Sequence, residues 1–169
     1  MAEIRDEKVS KLLALLEALG IPYRNHFHEP AFTVEESRHL QDEIPGGHCK
    51  SLLLKTKKED YFLVVMEGDD RLDIKVLSHS LGKGALSFAS PENLKALLNI
   101  DPGHVTPFAV IYDTDFLVQV IVQEKLLDYE LLNYHPLRND ITTTIASQDL
   151  IKFLKHHNHE PEIIEVPCK

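Results

Sequence analysis

The stretch Gly46-Gly47-His48-Cys49-Lys50-Ser51-Leu52-Leu53-Leu54-Lys55 constrains this chain more than any other. A Gly-Gly pair hands over directly to an apolar run of strand length, and one lysine stands at the mouth of that run. An ammonium group is costly to bury unless it is paired. Lys50 therefore either reaches back to water or faces a polar pocket at the strand's end. Successive strand residues point to opposite faces, so a pocket that receives Lys50 does not receive Cys49. A nearby ammonium can lower a thiol pKa and so activate it, but this alternation argues against a catalytic thiolate at Cys49. Two later stretches are read as lining the same pocket: Gly103-His104-Val105-Thr106-Pro107-Phe108 and Asn133-Tyr134-His135-Pro136-Leu137.

Around this stretch the pattern is that of strands in hairpins with helices between them. Leu12, Leu13, Leu15, Leu16 and Leu19 recur at helical spacing, and Gly20 followed by Pro22 ends that helix. Ile21 to His28 reads as a short strand. Thr33-Val34-Glu35-Glu36 is a capping box that opens a helix from Val34 to about Gln41. Cys49 to Lys55 and Tyr61 to Glu67 form a hairpin across Thr56–Asp60, and Arg71 to Ile74 is read as a further strand. Helices are expected over Lys75–Leu81, closed by Gly82, and over Pro91–Leu98, capped by Ser90 with proline in the first turn. Phe108–Tyr112 and Leu117–Gln123 read as a second hairpin, and Ile141–Ile145 as a strand. Ser147 is expected to cap a helix over Asp149–His157, and Ile163–Val166 to form a last strand. The expectation is a single α+β domain over residues 1–169: a mixed, largely antiparallel sheet with surrounding helices.

With 169 residues the chain can bury a substantial core. No apolar run approaches the roughly 20 residues of a membrane span, and the charged Glu3–Lys8 segment is unlike a signal peptide. Two cysteines are too few for a disulfide framework and suit a reducing cytoplasm. A net charge of −9 argues against a protein that coats nucleic acid through many phosphates. It leaves room for contact with a few nucleotides. Lys50, Lys55, Lys57, Lys58, Arg71, Lys75 and Lys83 cluster in one third of the chain, as a solvated face or as a local basic patch.

Several chemistries lack their signatures. There is no Gly-rich phosphate loop, no Cys-x-x-Cys, no His-Glu-x-x-His and no Gly-x-Ser-x-Gly, so neither a metal nor a cofactor is expected. His156, His157, His159 and Glu160 resemble metal ligands only in composition, and are read as surface groups at the polar end of a helix. Gly103 to Pro107 bends ahead of an apolar run, and successive amides in such a bend can form an anion-binding concavity that stabilises an oxyanion. A plain turn at Asp101-Pro102-Gly103 is the alternative. The proline after His135 holds that residue extended and so aims its imidazole.

In combination these segments resemble a known family. His48 to Lys55, Lys83-Gly84-Ala85-Leu86-Ser87-Phe88-Ala89, Gly103 to Phe108 and Tyr134-His135-Pro136-Leu137-Arg138-Asn139 follow the order and spacing of the YbaK/ProRS-associated editing domains. Ile21-Pro22, His28-Glu29-Pro30 and Phe32-Thr33-Val34-Glu35-Glu36 resemble that family's opening, so the likeness covers nearly the whole chain. It is nearest to the free-standing ProXp-ala or PrdX branch, the trans-editing prolyl-tRNA deacylases. The resemblance implies a partly barrel-like mixed sheet and hydrolysis of alanine wrongly esterified to proline tRNA. It also implies mischarged tRNA as partner, with prolyl-tRNA synthetase nearby.

By resemblance, Lys50 is the pocket lysine, Gly103 to Pro107 the Gly-x-x-x-Pro loop, and His135 the His-Pro histidine. The implied catalytic set is Lys50, Gly103, His104 and His135. The implied substrate contacts are Phe32, Ser51, Val105, Thr106, Pro107 and Asn139. Ser51 departs from the family, which usually has asparagine there, and serine offers one hydroxyl in place of an amide. The expected mechanism uses amides near Gly103 and His104 to bind the carbonyl oxygen. Lys50 holds the terminal phosphate or positions the ester, water attacks with help from a ribose hydroxyl, and His135 orients the ribose or the loop. The alternatives are the same fold acting on cysteinyl-, seryl- or threonyl-tRNA, and a module that binds aminoacyl-tRNA without hydrolysing it.

Overall fold

The leucine run after Lys50 is the shared strand of the molecule. In the computed structural model, which describes residues 6–30 and 43–169, Gly47–Lys55 (β2) pairs antiparallel with Tyr61–Glu67 (β3), placing Lys50 across from Met66 and Leu53 across from Leu63. On its other side β2 pairs parallel with Leu131–Tyr134 (β6), at Gly47–Leu132 and His48–Asn133 only. Ser87–Phe88 (β4) joins that side further along, at Leu54 and Lys55. Among the described residues, no strand pairs with that side of β2 between His48 and Leu54.

Arg24–Phe27 (β1), Ile141–Ala146 (β7), Val118–Gln123 (β5) and Glu162–Ile164 (β8) complete the order β1-β7-β6-β2-β3-β5-β8, with β4 off this path. Four pairings are antiparallel and three, β2 with β6, β3 with β5 and β5 with β8, are parallel. The architecture is the expected α+β arrangement of a mixed sheet with helices packed around it.

Alternation along β3 decides where the core lies. Tyr61, Leu63 and Val65 face a large cluster under Glu7–Ala18 (α1), Pro91–Leu98 (α3) and Ser147–His156 (α4). Phe62, Val64 and Met66 face a second cluster with Leu77 of Ile74–Leu81 (α2). A strand covered on both faces reads as a continuous apolar run. The caps are local and mostly legible: Asp6 accepts from the Lys8 and Val9 amides, and Ser90 and Asn93 form a capping box around Pro91. Gly82 ends α2 at φ 65°. No helix among the described residues is long and apolar enough to cross a membrane.

Four expectations change. Pro107–Tyr112 is a 3₁₀ segment, not a strand: Thr106 caps it, and Phe108 packs edge-on against Tyr134 and Phe153, at ring centroid separations of 5.7 and 5.4 Å. Periodicity cannot separate such a short buried run from a strand. Arg71–Ile74 is no strand; Leu72 makes one isolated bridge to Cys168, and Ile74 already begins α2. Ser147 lies inside α4, whose cap position is Ala146, and its amide donates to the Glu130 carbonyl. His159 is buried, not at the surface. The expected Val34–Gln41 helix lies outside the described residues.

Candidate functional site

The Gly-Gly pair proves to be a packing requirement. A Cβ on Gly46, which has φ 106°, would sit 2.7 Å from the Leu131 carbonyl oxygen, and one on Gly47 would sit 2.7 Å from the Tyr129 ring. Both glycines let the start of β2 lie close against β6 and the segment before it. Asn133 fastens the junction: its Nδ2 donates to the Pro45 and Gly47 carbonyls at 3.1 and 3.2 Å, and its Oδ1 accepts from the Thr144 hydroxyl at 2.5 Å.

Beyond the His48–Asn133 rung the two strands part. Lys50 and His135, each two residues past that rung, leave it on the same face of the sheet. The face is polar, carrying His26, Thr142, Thr144, Asn133 and His48 by strand register. Lys50 is half-buried and its ammonium donates to the Asp70 carbonyl. A lysine has three donors, so two N–H groups remain beyond that anchor.

His135 is anchored on this face through one ring nitrogen. Its Nδ1 lies 3.1 Å from the Ile141 carbonyl oxygen; a carbonyl only accepts, so Nδ1 carries the hydrogen and Nε2 is left as an acceptor. Burial pushes the pKa of His135 down, and the neighbouring His28 and His104 push it further, while the Ile141 carbonyl and Asp140 act the other way. His28 stands 6.5 Å away between ring centroids, with Nδ1 on the Glu29 carbonyl at 2.8 Å and Nε2 on the Thr142 hydroxyl at 2.7 Å. His28 and His135 thus meet at one rim of the sheet, and His104, from a third distant part of the chain, adds its charge to the shift at His135.

The loop before Phe108 wraps this rim. Gly103 is exposed at φ 87° with open space where a side chain would stand. The His104 N–H donates to the Asp101 carbonyl at 3.1 Å, so the expected oxyanion donor at this amide is already committed to a turn. Thr106 and Pro107 are buried and build the 3₁₀ start, the Thr106 hydroxyl accepting from the Phe108 amide at 3.4 Å. Val105 packs against the large core. These three shape the loop from behind.

Ser51 points to the core face, opposite to Lys50, and its buried hydroxyl has no hydrogen-bond partner among the described residues. Cys49 shares that face, where burial beside Tyr134 pushes its thiol up to about 12. It stays protonated at neutral pH and cannot act as a thiolate. Asn139 is half-exposed in the turn between β6 and β7, and Phe32 lies outside the described residues.

Sequence reading did not single out His28, and the proline of His28-Glu29-Pro30 restrains Glu29 and not His28. It also missed β6, and with it the register that places Lys50 and His135 on one face.

Residues 28–153, which span every segment that builds this polar face except β1, match the aminoacyl-tRNA editing domain family. The chain is 31% identical over 156 residues to prolyl-tRNA editing protein ProX of Acetoanaerobium sticklandii, covering 92% of this chain and 95% of that protein. It is 33% identical over 159 residues to prolyl-tRNA synthetase associated domain-containing protein 1 of Xenopus laevis, covering 91% and 94%. A crystal structure described as a candidate trans-editing enzyme for prolyl-tRNA synthetase superposes with a TM-score of 0.74 over 96% of this chain and 98% of that one, at 18% identity, and so shares its fold. The match runs unbroken from His28 through Lys50 and His104 to His135 and on into α4, and by it the chain belongs to the aminoacyl-tRNA editing domain family.

Proposed function

We propose that the chain is a trans-editing aminoacyl-tRNA deacylase, which hydrolyses the ester joining alanine to the acceptor end of proline tRNA. The observation that carries the reading is the parting of β2 and β6, with Lys50 and His135 leaving the last rung on one polar face. Prolyl-tRNA synthetase supplies the mischarged substrate, and the encounter takes place in the cytoplasm. A net charge of −9 suits a protein that grips only the acceptor end.

An aminoacyl ester is already activated, so placement and charge stabilisation matter more than a strong nucleophile. Cys49 is excluded from that role by its face and its protonation. With the His104 amide committed, stabilisation of the developing oxyanion falls to side-chain donors, chiefly the two remaining N–H groups of Lys50, which also suit the terminal phosphate. Neutral His135 offers Nε2 as acceptor for the ribose hydroxyl or the attacking water. Water adds to the ester carbonyl, the ribose oxygen leaves with a proton, and free amino acid and tRNA result. Proline is refused on size, since a ring clashes where a methyl group fits.

The test is a panel of proline tRNAs charged with alanine, cysteine, serine, threonine or proline. Alanine should be released fastest and proline retained. Lys50→Ala should slow release by about a hundredfold or more, the scale of losing one oxyanion donor, with an unchanged melting temperature. Wild-type protein inert across the panel, or full turnover by Lys50→Ala, overturns the proposal.

A further inference from the structure

The acceptor that holds Lys50 is itself held. Asp70 sits in the turn after β3, and its carboxylate accepts from Gln123 Nε2 at 2.9 Å and pairs with Lys125 Nζ at 2.5 Å. The same two residues grip the end of β3: Gln123 Oε1 accepts the Glu67 amide at 2.8 Å, and Lys125 lies 3.2 Å from Glu67 Oε2. Tyr129 donates to Glu67 Oε1 at 2.8 Å while its ring lies against Gly47. The turn is also tied to β2 directly, the Gly68 amide donating to the His48 carbonyl at 2.8 Å. One polar brace therefore joins β5, the turn after it, the end of β3 and the start of β2.

We propose that Gln123 and Lys125 are positioning residues, which fix the Asp70 carbonyl and through it the ammonium of Lys50. The inference rests on the proposed deacylase reading, in which Lys50 contacts the substrate. Lysine is a compact charge on a flexible stem of four carbons, so without a rigid acceptor its ammonium samples many positions. A displacement of the order of 1 Å in a catalytic group can cost about a hundredfold in rate. Both polar ends of the Gln123 amide are used, and Gln123 is buried. The pairing holds the Asp70 carboxyl below its ordinary value, Lys125 contributing most and Gln123 next among the lowering interactions.

Lys125 is not itself placed to receive RNA. It is neutralised by two carboxylates and borders a cavity of about 870 Å³ whose wall includes Asp73, Glu124, Asp128 and Glu165. Phosphate is repelled from such a wall. The role left to this cation is structural leverage on Asp70.

The experiment compares Lys125→Met and Lys125→Arg with wild type in two assays. In single-turnover deacylation of alanyl-tRNA, Lys125→Met should lose about tenfold in rate with little change in substrate affinity, and Lys125→Arg should recover most of it. In acetic anhydride labelling read by mass spectrometry, Lys50 should become several-fold more reactive in Lys125→Met and not in Lys125→Arg. A brace that served stability alone would lower the melting temperature and leave both readouts unchanged, and that result overturns the proposal. Faster labelling without loss of rate overturns it too. If wild type releases no amino acid, the deacylase reading fails by itself, while the labelling arm still decides whether Lys125 controls Lys50.

Discussion

The molecule carries two groups of three histidines, and they are opposites. His156, His157 and His159 are neighbours in sequence at the end of α4, whereas His28, His104 and His135 come from three distant segments. In the first group the chemistry is spent inside the fold: His159 Nδ1 lies 2.7 Å from the His157 carbonyl oxygen and Nε2 lies 2.8 Å from Asp113 Oδ2. Both ring nitrogens are thus engaged within the fold. In the second group His135 keeps one nitrogen as an acceptor on the face that also carries Lys50. Adjacency in sequence made the first group look like a ligand set, yet it is the second group that the fold assembles at the candidate site.

The largest effect expected from breaking this contrast is on stability. His159 and Asp113 are almost wholly buried, and Asp113 also accepts from the Leu117 and Val118 amides at 3.1 and 2.8 Å. Removing one partner leaves the other uncompensated, which costs about 3–5 kcal/mol. His159→Ala should therefore lower the melting temperature by roughly 10 °C while the folded fraction hydrolyses substrate normally. A loss under about 1 kcal/mol in chemical denaturation would show that the pair does not brace the fold.

The reverse pattern is expected at the other group. His135→Ala should cut deacylation by about a hundredfold, the low end of general acid–base contributions, at little cost in stability. The pH profile carries the sign. Because the folded pKa of His135 lies below its ordinary value, the neutral imidazole predominates at pH 6.5 and above, and activity should hold near neutral pH. It should fall only in more acid solution, as His135 takes a proton and Nε2 ceases to accept. An inflection above about 6.5, or one that survives in His135→Ala, would remove His135 from the mechanism.

The hairpin of β2 and β3, the capped helix after Ser90, the Gly82 stop of α2 and the placement of Cys49 away from Lys50 were legible, because each depends on residues within a few positions of one another. Asp73, which caps α2, was read inside a strand. The lysine at the strand mouth was legible as a problem but not as a solution. Its acceptor lies in the turn after β3, and the groups that hold that acceptor, Gln123 and Lys125, are more than fifty residues further on. Strand alternation was applied to Cys49 and not carried on to Ser51, which it places on the same core face. The two parallel partners of β3 and β8 on β5 were hidden for the same reason as Pro107–Tyr112. Neither a crossover nor a buried 3₁₀ run leaves a periodic trace, and only the sheet order reveals them. Gly46 and Gly47 read only as the handover into the strand, yet they are small because β6 and Tyr129 are close, a distance that no local pattern encodes.

The smallest effect tests whether any member of the α4 group is more than scaffolding. His157 is half-buried, packs 4.6 Å from Phe153 between ring centroids, and has a buried Nε2 with no hydrogen-bond partner among the described residues. Burial lowers its pKa, and His156 and His159 add to the shift. A depressed folded value means that the unfolded chain takes the proton first. Its contribution is therefore complete above the unfolded value of about 6.5 and is lost as pH falls from there toward the folded pKa. His157→Leu fills the same space without an orphan nitrogen, so it should be neutral or stabilising by up to about 1 kcal/mol at pH 8. Its advantage over wild type should then widen at pH 5. Urea unfolding at the two pH values measures this directly. An advantage that shrinks in acid would mean that the folded state favours charged His157, and would place a hidden acceptor beside that ring.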